Sequence, residues 1–371
     1  MIRKSILALL IIVILSGCAS TKFNSRTVVI PDTEAEAAPE LAHSNGDFEV
    51  NKIYRMFEEE QNEIRILGWT DNEQVVGMRK TMDLSQTLQR FDYKNQTMQK
   101  VMSFSQNAEA SMVSPDGLYI AVYVWDDKRS RTMKLYSLND GKAITTIDDS
   151  QSPLSAATMI WSNNSRYLSF FIWDDQNEEK LVVYDVTTKK LKKIDIPNEG
   201  EKSWLRYAKV SDNGETVLIV KQMVDGQSIF FGKLNDNSVV SLYNHLLNRD
   251  GTADFLNNDQ ILFVSENNLL FAYDRRNKAT TILGEQVGNF RLTRDRKYIA
   301  YSKDSQNTYI AKLQGNNLLN EQEVFKGIDP GQMEWSPSGN KLYLNGWKSF
   351  DAQIKSKLAV QYSMHYIIEF K

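Results

Sequence analysis

The residues able to do chemistry are few and scattered. His43, His245 and His365 share no spacing that brings two of them to one metal ion. His365, beside Tyr366 and Ile367, reads as a packed strand residue, and His245, in YNHLLN, as a loop residue. Asp250 and Asp254 flank Gly251 in NRDGTAD, a faint calcium pattern without the alternating ligands and distal glutamate of an EF-hand loop, so the stretch reads as a solvated turn. Two aspartate pairs, Asp126-Asp127 and Asp174-Asp175, have the functional groups for glycosidic cleavage, which needs two carboxylates about 5–10 Å apart. Neighbours on a strand point to opposite sides, however, and the two pairs lie 48 residues apart. There is no G-x-S-x-G, H-E-x-x-H, P-loop or Rossmann glycine pattern. The expectation is no catalytic residue, no metal and no cofactor.

The aspartate pairs instead mark a recurrence. YIAVYVWDD and YLSFFIWDD each end an apolar run, and Trp125 and Trp173 each lie twelve residues after the start of a common unit, at Val113 and Trp161. Trp347 lies twelve after Trp335. The unit is a hydrophobic residue, a polar turn and an apolar strand. It recurs from Trp69, Val113, Trp161, Val210, Phe255, Leu292 and Trp335, a mean step of about 44 residues. Each copy continues through further short strands and tight turns such as Asn139-Asp140-Gly141-Lys142, with no helical periodicity between them.

Four strands repeated at this period predict an all-β fold, a β-propeller of four-stranded blades over residues 48–371. Seven blades fit the seven starts, with six or eight as alternatives. Blades packed on both sides explain why the central strands are apolar throughout instead of alternating. The ring must also close, because an open edge invites pairing. The last unit is short of an outer strand, which residues 27–30 or 48–54 could supply.

In this architecture Trp125, Trp173 and Trp347 end second strands on one rim, the first two followed by Asp126, Asp127, Asp174 and Asp175. One reading is a recognition surface, since tryptophan combines area, rigidity and a donor. The other is repeat inheritance, each indole lying flat on the next blade. The loop charges are mixed, DDKRSR against DDQNEEK, which suits a protein partner better than a metal. Trp69, Trp161 and Trp335 begin inner strands and read as packing residues.

Overall charge is near neutral, with 44 basic and 47 acidic residues, and gives no footprint for nucleic acid. The first residues are different. Arg3 and Lys4 precede a ten-residue apolar stretch, Ile6 to Leu15, too short to span a bilayer, so residues 1–17 read as a cleavable export signal. Ser16 and Gly17 before Cys18, the only cysteine, resemble the bacterial lipobox. That resemblance implies lipidation of Cys18 and an envelope location. With Ala19 next, it implies the outer membrane facing the periplasm in a Gram-negative cell, and otherwise the outer face of the cytoplasmic membrane. Residues 18–47 are rich in alanine, proline and small polar residues and read as a tether.

The turns Val113-Ser114-Pro115-Asp116-Gly117 and Trp335-Ser336-Pro337-Ser338-Gly339 resemble the W-S-P-D-G repeat of TolB-type propellers. The resemblance spans roughly residues 64–371, and only these two copies are close. It implies an envelope protein that binds other proteins, although no folded domain precedes the repeats and soluble TolB lacks a lipid anchor. The expectation is therefore a membrane-anchored, non-catalytic module for an envelope protein partner. The alternative is a glycan-binding propeller, or a cryptic hydrolase, acting on cell-wall or surface saccharide.

Overall fold

In the strand Tyr167–Trp173, Leu168, Phe170 and Ile172 pack with Met133 and Leu135 of the preceding sheet, whereas Phe171 packs with Ala208 and Val217 of the following one. Successive side chains thus enter two different interfaces, and both must be apolar. Each such phenylalanine contributes about 1.5–3 kcal/mol by burial. This arrangement repeats around a ring of seven four-stranded antiparallel sheets, the predicted propeller with its predicted blade number. The computed structural model describes residues 48–56, 64–80, 86–104, 108–125, 131–148, 159–197, 203–303, 306–348 and 362–371. Cys18, the tether, Asp126 and Asp127 lie outside the described residues.

Blades 1 to 6 occupy residues 64–104, 108–148, 160–195, 203–247, 253–284 and 287–326, each running from the inner to the outer strand. Blade 7 takes its first three strands from Asp329–Trp335, Lys341–Lys348 and Tyr362–Phe370. Its outer strand is Val50–Met56, paired with Val50 opposite Phe370 and Met56 opposite His365. The second of the two closing segments offered by the sequence therefore seals the ring. Phe48 anchors it, with its ring centroid 4.5 Å from Tyr298 and 5.2 Å from Phe370.

The seam also carries a charge cluster. Glu369 accepts a 2.7 Å hydrogen bond from Tyr93 and lies 3.0 Å from Lys94 of blade 1. Burial opposes its ionisation, but Tyr93, Lys94 and Lys341 together hold the carboxyl below the usual glutamate value.

The turn between first and second strands works as its sequence implies. Ser114 Oγ donates to Asp116 and accepts from the Tyr119 amide, and Ser162, Ser211 and Thr293 repeat the pattern. Gly117 adopts φ +79°, where a Cβ would lie 2.3 Å from the Thr70 carbonyl oxygen, so only glycine fits. These turns also bond to one another across blade boundaries, for example the Asp116 amide to Ser165 Oγ and the Ser338 amide to Asn72 Oδ1. They define one rim of the ring, called here the turn rim.

Candidate functional site: the mouth of the central channel

The inner strands surround the axis, and the residue just before each repeat start is Gly68, Met112, Ile160, Lys209, Asp254, Arg291 and Glu334 in blades 1 to 7. Four consecutive blades thus supply charges of alternating sign. Each charge meets its opposite across a blade boundary: Lys209 Nζ lies 2.6 Å from Asp254 Oδ1, and Arg291 Nη2 lies 2.7 Å from Glu334 Oε2. Alternation is what lets a low-dielectric ring hold them, because a lone buried charge is heavily penalised. Burial opposes the Asp254 charge, yet Lys209 and Arg291 hold its carboxyl below the ordinary aspartate range. Burial likewise works against Arg291, whose pKa the Glu334 and Asp254 carboxylates raise.

Tryptophans lock the same level. Trp69, Trp161 and Trp335 are buried, and each indole donates to the carbonyl of the ring residue in the preceding blade: Glu334, Met112 and Arg291 respectively, at 2.9–3.0 Å. Their reading as packing residues holds.

Above this charged floor, on the rim opposite the turns, the channel opens into a cavity of about 1220 Å³. Its lining among the described residues comes from blades 4 to 7. Arg291 and Glu334 line both this cavity and a space of about 80 Å³ toward the turn rim. Arg291 keeps 41% of its side chain accessible.

Side-chain amides hold the wall in place. Asn248 Nδ2 donates to the Gly288 carbonyl and Asn289 Nδ2 to the Pro330 carbonyl, each spanning two blades. Arg206 Nη1 donates to Gln227 Oε1 at 2.6 Å, and Gln227 Nε2 to the Arg249 carbonyl. Arg249, Asp225, Asp250, Glu266 and Asp329 line the cavity without an ion pair among the described residues. Burial and the like charge of Asp250 push the Asp329 carboxyl above its usual range.

The predicted rim residues separate here. Trp347, 44% exposed and paired in register with Asp329, stands in the cavity wall. Trp173 borders a different groove, about 460 Å³ between blades 3 and 4. Trp125 leans on Tyr123 at 5.5 Å. The three indoles end second strands on one rim, with Trp347 at the channel cavity and Trp173 at the groove between blades 3 and 4.

Asp174 is occupied locally, accepting from the amides of Gln176 and Glu178 and pairing with Lys180, while Asp175 is exposed. The Glu178 amide, above all, holds the Asp174 carboxyl below its usual value.

Two local readings change. His245 sits within the outer strand Val239–Leu247 instead of a loop, because the ladder with the third strand runs on through it, Ile229 opposite His245, and its ring lies tilted 4.9 Å from Phe263 of blade 5. Asp254 belongs to the buried ring instead of a solvated turn, and of the two aspartates only Asp250 is exposed at the mouth. His365 is packed as predicted, 2.6 Å from the Tyr343 hydroxyl. Among the described residues no three His, Cys, Asp or Glu side chains are grouped to hold a metal ion. The sequence displays the charge ring only when the seven repeat starts are aligned and the residue upstream of each is compared.

Fold and site together define a seven-bladed β-propeller with paired charges on its inner strands and a cavity on the rim opposite the turns. No protein-family model matches the chain, and no curated protein matches it in sequence. Among solved structures it is similar to an oligogalacturonate lyase in complex with manganese, with TM-score 0.58 and 10% identity over 89% of this chain and 94% of that one. It is also similar to an oligogalacturonate lyase from Vibrio parahaemolyticus, with TM-score 0.57 and 10% identity over 87% and 94% of the two chains. The structure of U3-55K aligns with TM-score 0.55 and 11% identity over 85% and 98%. At such identities the likeness is one of fold.

Proposed function

We propose that this chain is a lipid-anchored, extracytoplasmic binding module whose ligand is a segment of another cell-envelope protein, seated in the channel mouth. The observation carrying this reading is the cavity wall. It presents acids and arginines together, beside the half-exposed Trp347, in a space large enough for several side chains. Mixed charge matches a polypeptide, which brings both signs and its own main-chain donors and acceptors. The ring charges beneath are already paired with each other and act as a floor. Lipidation at Cys18 supplies the anchor, and more than one acyl chain makes such anchoring stable.

A saccharide reading has its own support. Arg206, Arg249 and Arg291 line the same cavity, guanidinium groups suit carboxylated sugars, and two similar folds are oligogalacturonate lyases.

One experiment separates the two readings. A photo-crosslinking residue in place of Glu266 at the mouth should yield a discrete protein adduct in intact cells. Retention of acidic oligosaccharide by the purified chain, with no protein adduct, would overturn the protein-ligand reading in favour of the second.

A further inference from the structure

We infer that the outer edge of blade 4 pairs with the same edge of a second copy of this chain, joining two rings through one continuous antiparallel sheet. Exposed apolar surface is concentrated on this blade. Trp204, Val224, Val240, Leu242 and Leu246 belong to it, five of the ten large apolar side chains exposed among the described residues. The last three stand on the outer strand Val239–Leu247 and are 38% to 48% exposed. That strand is last in the order of its sheet, so among the described residues its outer edge carries no ladder. Bridges tie only its ends, Ser238 just before it to Asp195 and Leu247 to Ser265. Blade 5 holds the strand from one face, where Tyr243 stacks on Tyr273 at 3.9 Å and His245 lies against Phe263. A bulge leaves Leu242 without a partner on the third strand.

Charge and self-complementarity select the occupant. An unpaired edge invites pairing, and charged side chains are the usual deterrent. Other outer strands carry them, with Lys52 in Val50–Met56, Lys192 and Lys193 in Lys190–Asp195, and Glu321 and Glu323 in Asn317–Lys326. VVSLYNHLL contains no Lys, Arg, Asp or Glu. Two copies therefore meet without the directly opposed like charges that destabilise a strand pair. The strand is also its own complement. Laid antiparallel on a copy about Asn244, it sets Leu242 opposite Leu246 and Tyr243 opposite His245. Leu242 and Leu246, exposed in one ring, thus cover each other at two symmetry-related places. Outer strands lie on the circumference, where two rings can touch without overlap. The second strand leaves the turn at 211–214 and each later strand reverses, so the outer strand runs from the turn rim to the mouth. Antiparallel pairing therefore points the two mouths in opposite directions. Neither the ligand nor the anchor proposed above bears on this pairing.

The test measures the mass of the purified full chain by sedimentation in detergent solution over a series of concentrations. Reducing conditions keep Cys18 from linking two chains. The wild-type chain should reach twice the single-chain protein mass. Leu242→Lys alone, or Leu246→Glu alone, should weaken association at least about tenfold, since each charge enters the interface twice. Both positions are exposed in the single ring, so the blade tolerates either change. The double variant, Leu242→Lys with Leu246→Glu, should regain association. Its two new charges face each other only across the two-fold axis, because within one chain they stand about 13 Å apart along the strand. Single-chain mass at every wild-type concentration overturns the pairing and leaves the edge to a strand of another protein. Association that survives both single substitutions, or that the double variant fails to regain, overturns it as well.

Discussion

The Lys209 ammonium lies 2.6 Å from Asp254 Oδ1, both side chains buried and supplied by adjacent blades. Removing one partner strands the other in the ring. Asp254→Asn should cost about 3–5 kcal/mol, the range for a broken buried pair. Replacing both, Lys209→Met with Asp254→Leu, should recover most of that loss. Urea unfolding midpoints of the two variants check this, and equal losses in both would show that the pairing is not what matters.

Acid should loosen the ring and the seam. Glu369 and Asp254 have carboxyl pKa values lowered in the folded state, from 4.5 and 3.8 respectively. Their contribution is therefore complete above those values and fades as pH falls through the lower, folded ones. Stability should drop progressively below about pH 4.5, and Glu369→Gln should shallow that slope while lowering the plateau by about 3–5 kcal/mol. Thermal unfolding between pH 3 and 7 measures both effects. An unchanged slope in the variant would remove Glu369 from the account.

Trp161 and Trp347 should respond in opposite ways. Trp161 is 4% exposed and its indole bonds to the Met112 carbonyl. Truncation to alanine should cost about 3–5 kcal/mol. Trp347, standing in the cavity wall, should lose no more than about 0.5 kcal/mol. Large destabilisation from Trp347→Ala would mean that its role is packing and not recognition.

Ring closure should depend on Phe48. Phe48→Ala empties a site walled by Tyr298, Trp335 and Phe370 and should destabilise by about 3–5 kcal/mol. Deleting residues through Met56 should do more, because the strand Tyr362–Phe370 then becomes an open edge. Size-exclusion chromatography of the truncated chain should show association or aggregation. A monomer with the full chain's unfolding midpoint would contradict closure by this strand.

The sequence by itself determined the repeat and hence the architecture. Apolar strands at a fixed period, three of them introduced by a Ser-x-Asp or Ser-x-Asn turn at Ser114, Ser162 and Ser211, can bury both faces only by packing blade on blade. This local chemistry is written in consecutive residues, such as Ser114 to Gly117. It also limited the closing strand to two segments. Only the tertiary structure decided between them, because Phe48 finds its pocket in Tyr298 and Phe370, residues some 250 to 320 positions away. The site divides in the same way. Trp125, Trp173 and Trp347 could be placed on one rim from spacing alone, but not in or out of a cavity, since that depends on how far each neighbouring blade stands from the axis. Lys209, Asp254, Arg291 and Glu334 lie some 40 residues apart in the chain and look like ordinary surface charges there. Their pairing exists only once the ring has brought four inner strands to a common axis, where water is scarce and each charge must find its opposite.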